Sequence, residues 1–215
     1  MKTPAILLSA LLLSTSAHAS GVNLVANGDF SAGNVGFSTD YALGTGGFNS
    51  MWDPGLYTVT EGIGDLHSLW TLEQGDGAFM LVNGRTDADS LVWGQSVATT
   101  VGQAYRFSIS AANVCCKTGV GGEQVPPLLR FLINGNIFGT GLTDGPGHWD
   151  TLSGFFTADS ASTVLSVRNA TTAYGGNDFA LDDIVLEPVP EPASLVLLGT
   201  GLIAAAWKRR KHHGM

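Results

Sequence analysis

Between residues 20 and 187 the apolar positions fall in short β-branched and aromatic runs separated by clusters of Gly, Asn and Asp. No stretch sustains a 3.6-residue apolar period, so the pattern predicts strands rather than helices. Eight are expected: Leu56–Thr60, Ala78–Val82, Ser90–Thr99, Tyr105–Ala112, Leu128–Ile133, Trp149–Thr157, Thr163–Asn169 and Phe179–Leu186. In the fourth, Tyr105, Phe107, Ile109 and Ala111 share one face while Arg106, Ser108 and Ser110 share the other, so one side of the strand belongs to a core. Asn83-Gly84 and Asn134-Gly135 supply turn residues that tolerate positive φ, and the second pair joins two apolar runs as a hairpin. The prediction is an all-β domain, a jelly-roll β-sandwich of two antiparallel sheets. No internal repeat suggests a propeller or solenoid.

The two ends follow a different pattern. Lys2, the apolar run Ala5–Leu13 and the small-x-small sequence Ala17-His18-Ala19 predict a signal peptide over residues 1–19, cut before Ser20. The Sec machinery and signal peptidase are the partners this implies. At the other end Val189, Pro190, Glu191 and Pro192 precede an apolar run, Ala193–Trp207, followed at once by Lys208, Arg209, Arg210 and Lys211. As a helix this run would be about 22 Å long at 1.5 Å per residue, short of the roughly 30 Å hydrocarbon core, so it predicts a short, weak transmembrane helix. The basic cluster places the C-terminus in the cytoplasm and the preceding body outside. An ordinary single-pass tail anchor is the plain alternative.

Of the 215 residues, 10 are Lys or Arg and 18 Asp or Glu. Half of the cations sit in the two ends. The exported segment keeps Arg85, Arg106, Lys117, Arg130 and Arg168 against 17 carboxylates, a formal charge of −12. That excludes a nucleic-acid binder and favours divalent cations over polyanions. Two cysteines exclude a disulfide-dense scaffold and a four-cysteine zinc site.

The VPEP sequence, the short helix containing Gly199 and Gly201, and the terminal KRRK resemble the PEP-CTERM sorting signal of Gram-negative envelope proteins over residues 188–211. The resemblance implies an exosortase partner, a membrane-held intermediate, cleavage near Pro190-Glu191-Pro192 and delivery to the cell surface or extracellular matrix. A second resemblance covers most of residues 20–187. NLVANGDFSAG (Asn23–Gly33), VWGQSVATTVGQAYRFSISA (Val92–Ala111) and GNDFALDDIVL (Gly176–Leu186) are similar to galactose-binding-like β-sandwiches related to carbohydrate-binding modules. In such sandwiches the first and last strands lie close and often share a structural calcium. This implies a site at Asp29, Asp182 and Asp183, completed by carbonyls such as that of Asn27. Successive strand residues point apart, which favours Asp182 over Asp183 as a ligand. Solvated or turn-capping aspartates are the alternative.

A sugar-binding face needs flat aromatic surfaces beside hydrogen-bonding groups. Trp52, Tyr57, His67, Trp70 and Tyr174 are the candidates, with Asn49 and Asp65 as polar neighbours; each aromatic also has a packing reading. Asp87 and Asp89 begin like a calcium loop but lack its glycine and distal glutamate. Cys115 and Cys116 are adjacent, and export puts them where disulfides form. A vicinal ring, intermolecular bridges and reduced thiols are all open outcomes. No nucleophile elbow, zincin or phosphate-loop motif is present. Carboxylate pairs such as Asp65 with Glu73 are the only hydrolytic suggestion, since spacing along the chain cannot test their separation. A noncatalytic, carbohydrate-binding or matrix-associated surface protein is the function expected.

Overall fold

A strand turns alternate side chains to opposite faces, so each alternating run covers one face of a sheet and leaves the other to solvent or a second layer. The computed structural model describes residues 21–75, 77–117, 125–141, 145–190 and 200–201. It contains ten strands: β1 (Ala42–Leu43), β2 (Leu56–Thr60), β3 (Phe79–Asn83), β4 (Ser90–Ala98), β5 (Ala104–Asn113), β6 (Leu129–Ile133), β7 (Asn136–Gly141), β8 (Trp149–Thr157), β9 (Ser162–Asn169) and β10 (Phe179–Pro188). Six form one sheet in the order β1-β2-β3-β10-β5-β8, and four form a second in the order β4-β9-β6-β7. The fold is a jelly-roll β-sandwich.

All eight expected strands occur, with bounds shifted by no more than a residue or two. Two more were not anticipated. β7 follows Asn134-Gly135, whose φ values of 50° and 78° make the tight turn expected between the two runs. β1 pairs with β2 in parallel, so the larger sheet is not wholly antiparallel. Asn83-Gly84 is not a positive-φ turn. Gly84 is required for close approach, because a Cβ there would lie 2.2 Å from the Asn177 carbonyl oxygen. The signal peptide, Glu191, Pro192 and the basic stop lie outside the described residues, as does the predicted hydrophobic helix except for Thr200 and Gly201, which are helical. Among the described residues no helix is long and apolar enough to cross a membrane.

The inner faces of the two sheets bury Phe30, Trp93, Phe107, Ile109, Leu129, Leu165, Phe179 and Leu181 completely or nearly so. Tyr105, Phe107, Ile109 and Ala111 all face this core, as their alternation required. The larger sheet is also half covered on its outer face. There Met51 and Trp70, from the connections flanking β2, pack on Phe79, Leu81, Ala112 and Ala180 to make a second core. Every residue of β3 is therefore buried. The uncovered half of that face carries Arg106, Ser110, Thr151, Ser153 and a 70% exposed Phe155.

The opening segment closes the sandwich beside β10. Leu24 N–H donates to Leu186 O at 2.8 Å, and Ile184 N–H to Gly28 O at 2.9 Å. Gly28 lies so close to β10 that a Cβ would stand 2.0 Å from the Ile184 carbonyl oxygen. Overpacking of this kind costs about 1–3 kcal/mol, and each kcal/mol lowers the melting temperature of a domain this size by about 2–4 °C. Gly28→Ala is therefore expected to melt several degrees below the parent in a thermal denaturation scan, whereas Gly46→Ala, at a position with nothing near its Cβ and no positive φ, should melt with the parent.

Candidate functional site

The two ends of the sandwich differ. One is formed where β3 ends and β8 and β10 begin, and the other where β10 ends and β5 begins. At the first end, residues 49–52 pair with residues 65–68. Asn49 adopts a φ of 52°, tolerated by asparagine, and its N–H donates to Asp65 O at 2.8 Å while its Oδ1 accepts from Ser68 N–H at 2.8 Å. Met51 N–H donates to Leu66 O at 3.0 Å, and the Asn83 side-chain amide bonds the Met51 and Trp52 carbonyls. Trp52 is thereby set against His67.

Three rings then stack in series. Trp52 lies on His67 with centroids 4.6 Å apart and planes 9° from parallel, and His67 lies on Trp70 at 4.6 Å and 14°. Exposure falls along the stack from 44% at Trp52 to 6% at His67 and none at Trp70. The innermost ring is fixed by a hydrogen bond from its Nε1–H to Asp178 Oδ2 at 2.8 Å. Asp178 also accepts from Gly84 N–H at 3.4 Å, and its own carbonyl takes the Val114 N–H. The backbone of Trp70 bridges to Cys115, and Thr71 N–H donates to Val114 O. Cys115 and Cys116 are bonded to each other in this segment. Lys117 closes it, donating its backbone N–H to Leu69 O and its Nζ to Ser68 O.

Of the five aromatics proposed as ligand contacts, the structure gathers Trp52, His67 and Trp70. Only Trp52 offers a surface. Trp70 is interior because its indole closes the second core, so direct ligand contact by Trp70 is ruled out. Tyr57 is also interior: it points between the sheets from β2 and its hydroxyl bonds Asn34. Tyr174 is 67% exposed but shares no ring contact with the stack. Asn49 works as a backbone brace. Asp178, the buried partner of Trp70, was passed over in sequence; the Asn-Asp pair before the last strand is the signal that could have found it.

The two ionisable groups of the stack are displaced in opposite senses. Burial, helped by the nearby Lys117 charge, pulls the His67 imidazole down to about 4, so it is neutral at pH 7. Burial pushes the Asp178 carboxyl up to about 6, against the lowering effect of the Trp70 and Gly84 hydrogen bonds.

Asp29 and Asp183 lie near enough to Asp182 for their charges to act on it. Burial lifts the Asp182 carboxyl to about 7, opposed by the Asp183 N–H bond and reinforced by the charges of Asp183 and Asp29. A register shift between Asp182 and Val185, with Asp183 at a φ of 48°, replaces the regular alternation expected there. Asp29 caps a turn, accepting from Ser31 N–H and Oγ. Among the described residues no three His, Cys, Asp or Glu side chains are grouped to hold a metal ion. Glu73 pairs with His148 at 2.8 Å and lines a cleft of about 210 Å³ with Glu61 and Phe79, a grouping that leaves out Asp65.

At the opposite end Val189 is tied down by its N–H to Ala104 O at 2.9 Å and by the Gln103 amide to its carbonyl at 2.8 Å. Pro190 then emerges exposed. Residues 188–211 match the PEP-CTERM protein-sorting motif. No curated protein matches the chain as a whole. Among solved structures, an apo cyclase from Fischerella sp. is similar at 12% identity and a TM-score of 0.53, over 81% of this chain and 99% of that one. The Stig cyclase Fisc from Fischerella sp. TAU gives 12%, 0.52, 80% and 100%. The xylan-binding CBM22-1 domain from Paenibacillus barcinonensis is similar at 17% and 0.43, over 80% and 97%. At these identities the likeness to the cyclases is one of fold.

Linkage gives the stack a pH signature. Between about 4 and 6.5 the unfolded chain binds the His67 proton and the folded chain does not, so this group costs stability as pH falls. Between 3.8 and about 6 the folded chain binds the Asp178 proton more tightly, so this group adds stability as pH falls. The two largely offset each other. In urea titrations from pH 7 to pH 4, His67→Phe is expected to gain stability relative to the parent as pH falls, and Asp178→Asn to lose it.

Proposed function

We propose that the protein is exported by the Sec route, held briefly in the membrane by its C-terminal segment, cut by an exosortase near Pro190-Glu191-Pro192, and displayed at the surface of a Gram-negative-type cell, where it binds polysaccharide without chemical turnover. The sorting half of this reading is supported by the motif at residues 188–211. The binding half is carried by one observation: the ring stack ends in an exposed tryptophan at the end of the sandwich opposite the tail.

A pyranose presents an apolar C–H face that packs on an aromatic plane, and such contact is strongest when the ring is already immobile. Trp52 meets this condition because His67 and Trp70 back it and Asn83 holds its backbone. A neutral imidazole suits the middle position, since a charged one would have to be desolvated between two indoles. Asp53 and Asp65, both exposed beside the stack in sequence, offer acceptors for hydroxyl groups.

On a glycan array probed with the secreted protein, binding to neutral polysaccharide is expected, and Trp52→Ala should weaken it about tenfold or more, the equivalent of about 1.4 kcal/mol. Trp52→Phe should retain part of it. Undiminished binding by Trp52→Ala would remove the stack from the site. Separately, Glu191→Ala should leave the chain membrane-associated and uncut; mass spectrometry of unaltered, full-length protein from wild-type cells would overturn the processing step.

A further inference from the structure

The tail-side end of the sandwich contains a second aromatic cavity that the reading above does not use. It opens between the β6–β7 hairpin and the end of β8 and has a volume of about 220 Å³. Ile133, Phe138 and Phe156 form its apolar wall, and Asn136, Thr157 and Asp159 stand among its polar lining. The rings are held from behind. Phe156 stacks on Tyr105 at 5.8 Å, and Phe138 meets Phe107 edge-on at 5.6 Å. Phe138 also presses on Gly154, where a Cβ would come within 2.5 Å of its ring, so glycine at that position is what lets the ring sit there.

The polar side retains hydrogen-bonding capacity. Asp159, an exposed lining residue, accepts from the Asn134 amide on Oδ1 at 3.3 Å, the one hydrogen bond to its side chain among the described residues. Among the described residues Asn136 makes one long bond, 3.5 Å to Asn134 O, and its Oδ1 accepts none. Asn134 is committed to the turn, accepting Val164 N–H on its Oδ1 at 2.8 Å. An immobile aromatic wall faces an acceptor carboxylate, an amide with both donor and acceptor available, and a hydroxyl. At about 220 Å³ the cavity is smaller than the roughly 300–1,000 Å³ of pockets that hold drug-sized ligands, the scale of one ring rather than a chain. Asp159 is the charged lining residue and no cation accompanies it, which disfavours acidic sugars.

We propose that this cavity is a second carbohydrate site that takes a single neutral pyranose, with its C–H face on Phe138 and Phe156 and its hydroxyls on Asn136, Thr157 and Asp159. The site stands on its own residues, independent of Trp52. If both sites bind, they lie at opposite ends of a sandwich whose last strand is about 33 Å long at roughly 3.3 Å per residue, and one molecule bridges two glycans; this corollary alone rests on the earlier reading.

The test is NMR titration of the secreted protein, labelled on aromatic rings and side-chain amides, with glucose, galactose, mannose and N-acetylglucosamine up to about 10 mM, above the millimolar dissociation constant that one ring contact gives. The Phe156 ring and Asn136 amide signals should shift with at least one sugar. Asn136→Ala and Thr157→Val, both exposed and outside the core, should each weaken binding several-fold with the fold intact by amide spectra, and Trp52→Ala should leave these shifts unchanged. Glucuronic acid should shift them less than glucose. No shift at Phe156 or Asn136 with any of the four sugars overturns the proposal, as does a midpoint unmoved in the Asn136→Ala, Thr157→Val double variant. Loss of shifts only around Trp52 in the Trp52→Ala protein speaks to the other site alone.

Discussion

The hydrogen bond from the Trp70 indole to the buried Asp178 carboxylate is the constraint on which the distal end depends. Asp178 precedes the first residue of β10, the central strand of the larger sheet, while Trp70 belongs to the long connection between β2 and β3. The bond therefore fastens an irregular cover to the start of an interior strand. With Trp70 held, the second core can close over Phe79, Leu81, Ala112 and Ala180, and His67 and Trp52 can pile onto it. A buried carboxylate is costly without such a donor, and a buried indole N–H is costly without an acceptor, so each satisfies the other.

This coupling also ties the exposed ring of the stack to folding. Trp52 is the one member of the stack that a ligand could touch, and its plane is set by two rings that are part of the core. The chain orders the platform as it folds. Because residues 115–117 bridge Trp70 and Leu69 at the backbone, the adjacent cysteine pair lies in the wall that supports the same rings. The imidazole in the middle is a spacer that stays uncharged at neutral pH, which keeps the stack apolar throughout.

Much of the architecture was legible in the chain because strand alternation is a local signal. The β5 face and the Asn134-Gly135 turn could be read directly, though the half-exposed run after that turn, β7, carried too weak an alternation to be given bounds. The outer cover was not legible. It has no period, and its apolar residues are spread among glycines and polar residues from Gly44 to Gly75, so only tertiary contact shows which of them are core. That is why Tyr57 and Trp70 could be mistaken for surface groups: an aromatic near a loop carries no mark of its depth. The bulge at Asp182–Val185 could not be read, since both aspartates fit a regular strand equally well in sequence.

The last strand of the body runs without a linker into the tail. Eight residues of β10 pair with β5 along one side and three, Phe179–Leu181, with β3 on the other, and Val189 is tied to Ala104 before the chain departs. Tension applied through the C-terminus would thus act parallel to the strand and strain many ladder bonds together, whereas a tail leaving from an edge strand would let them open one after another.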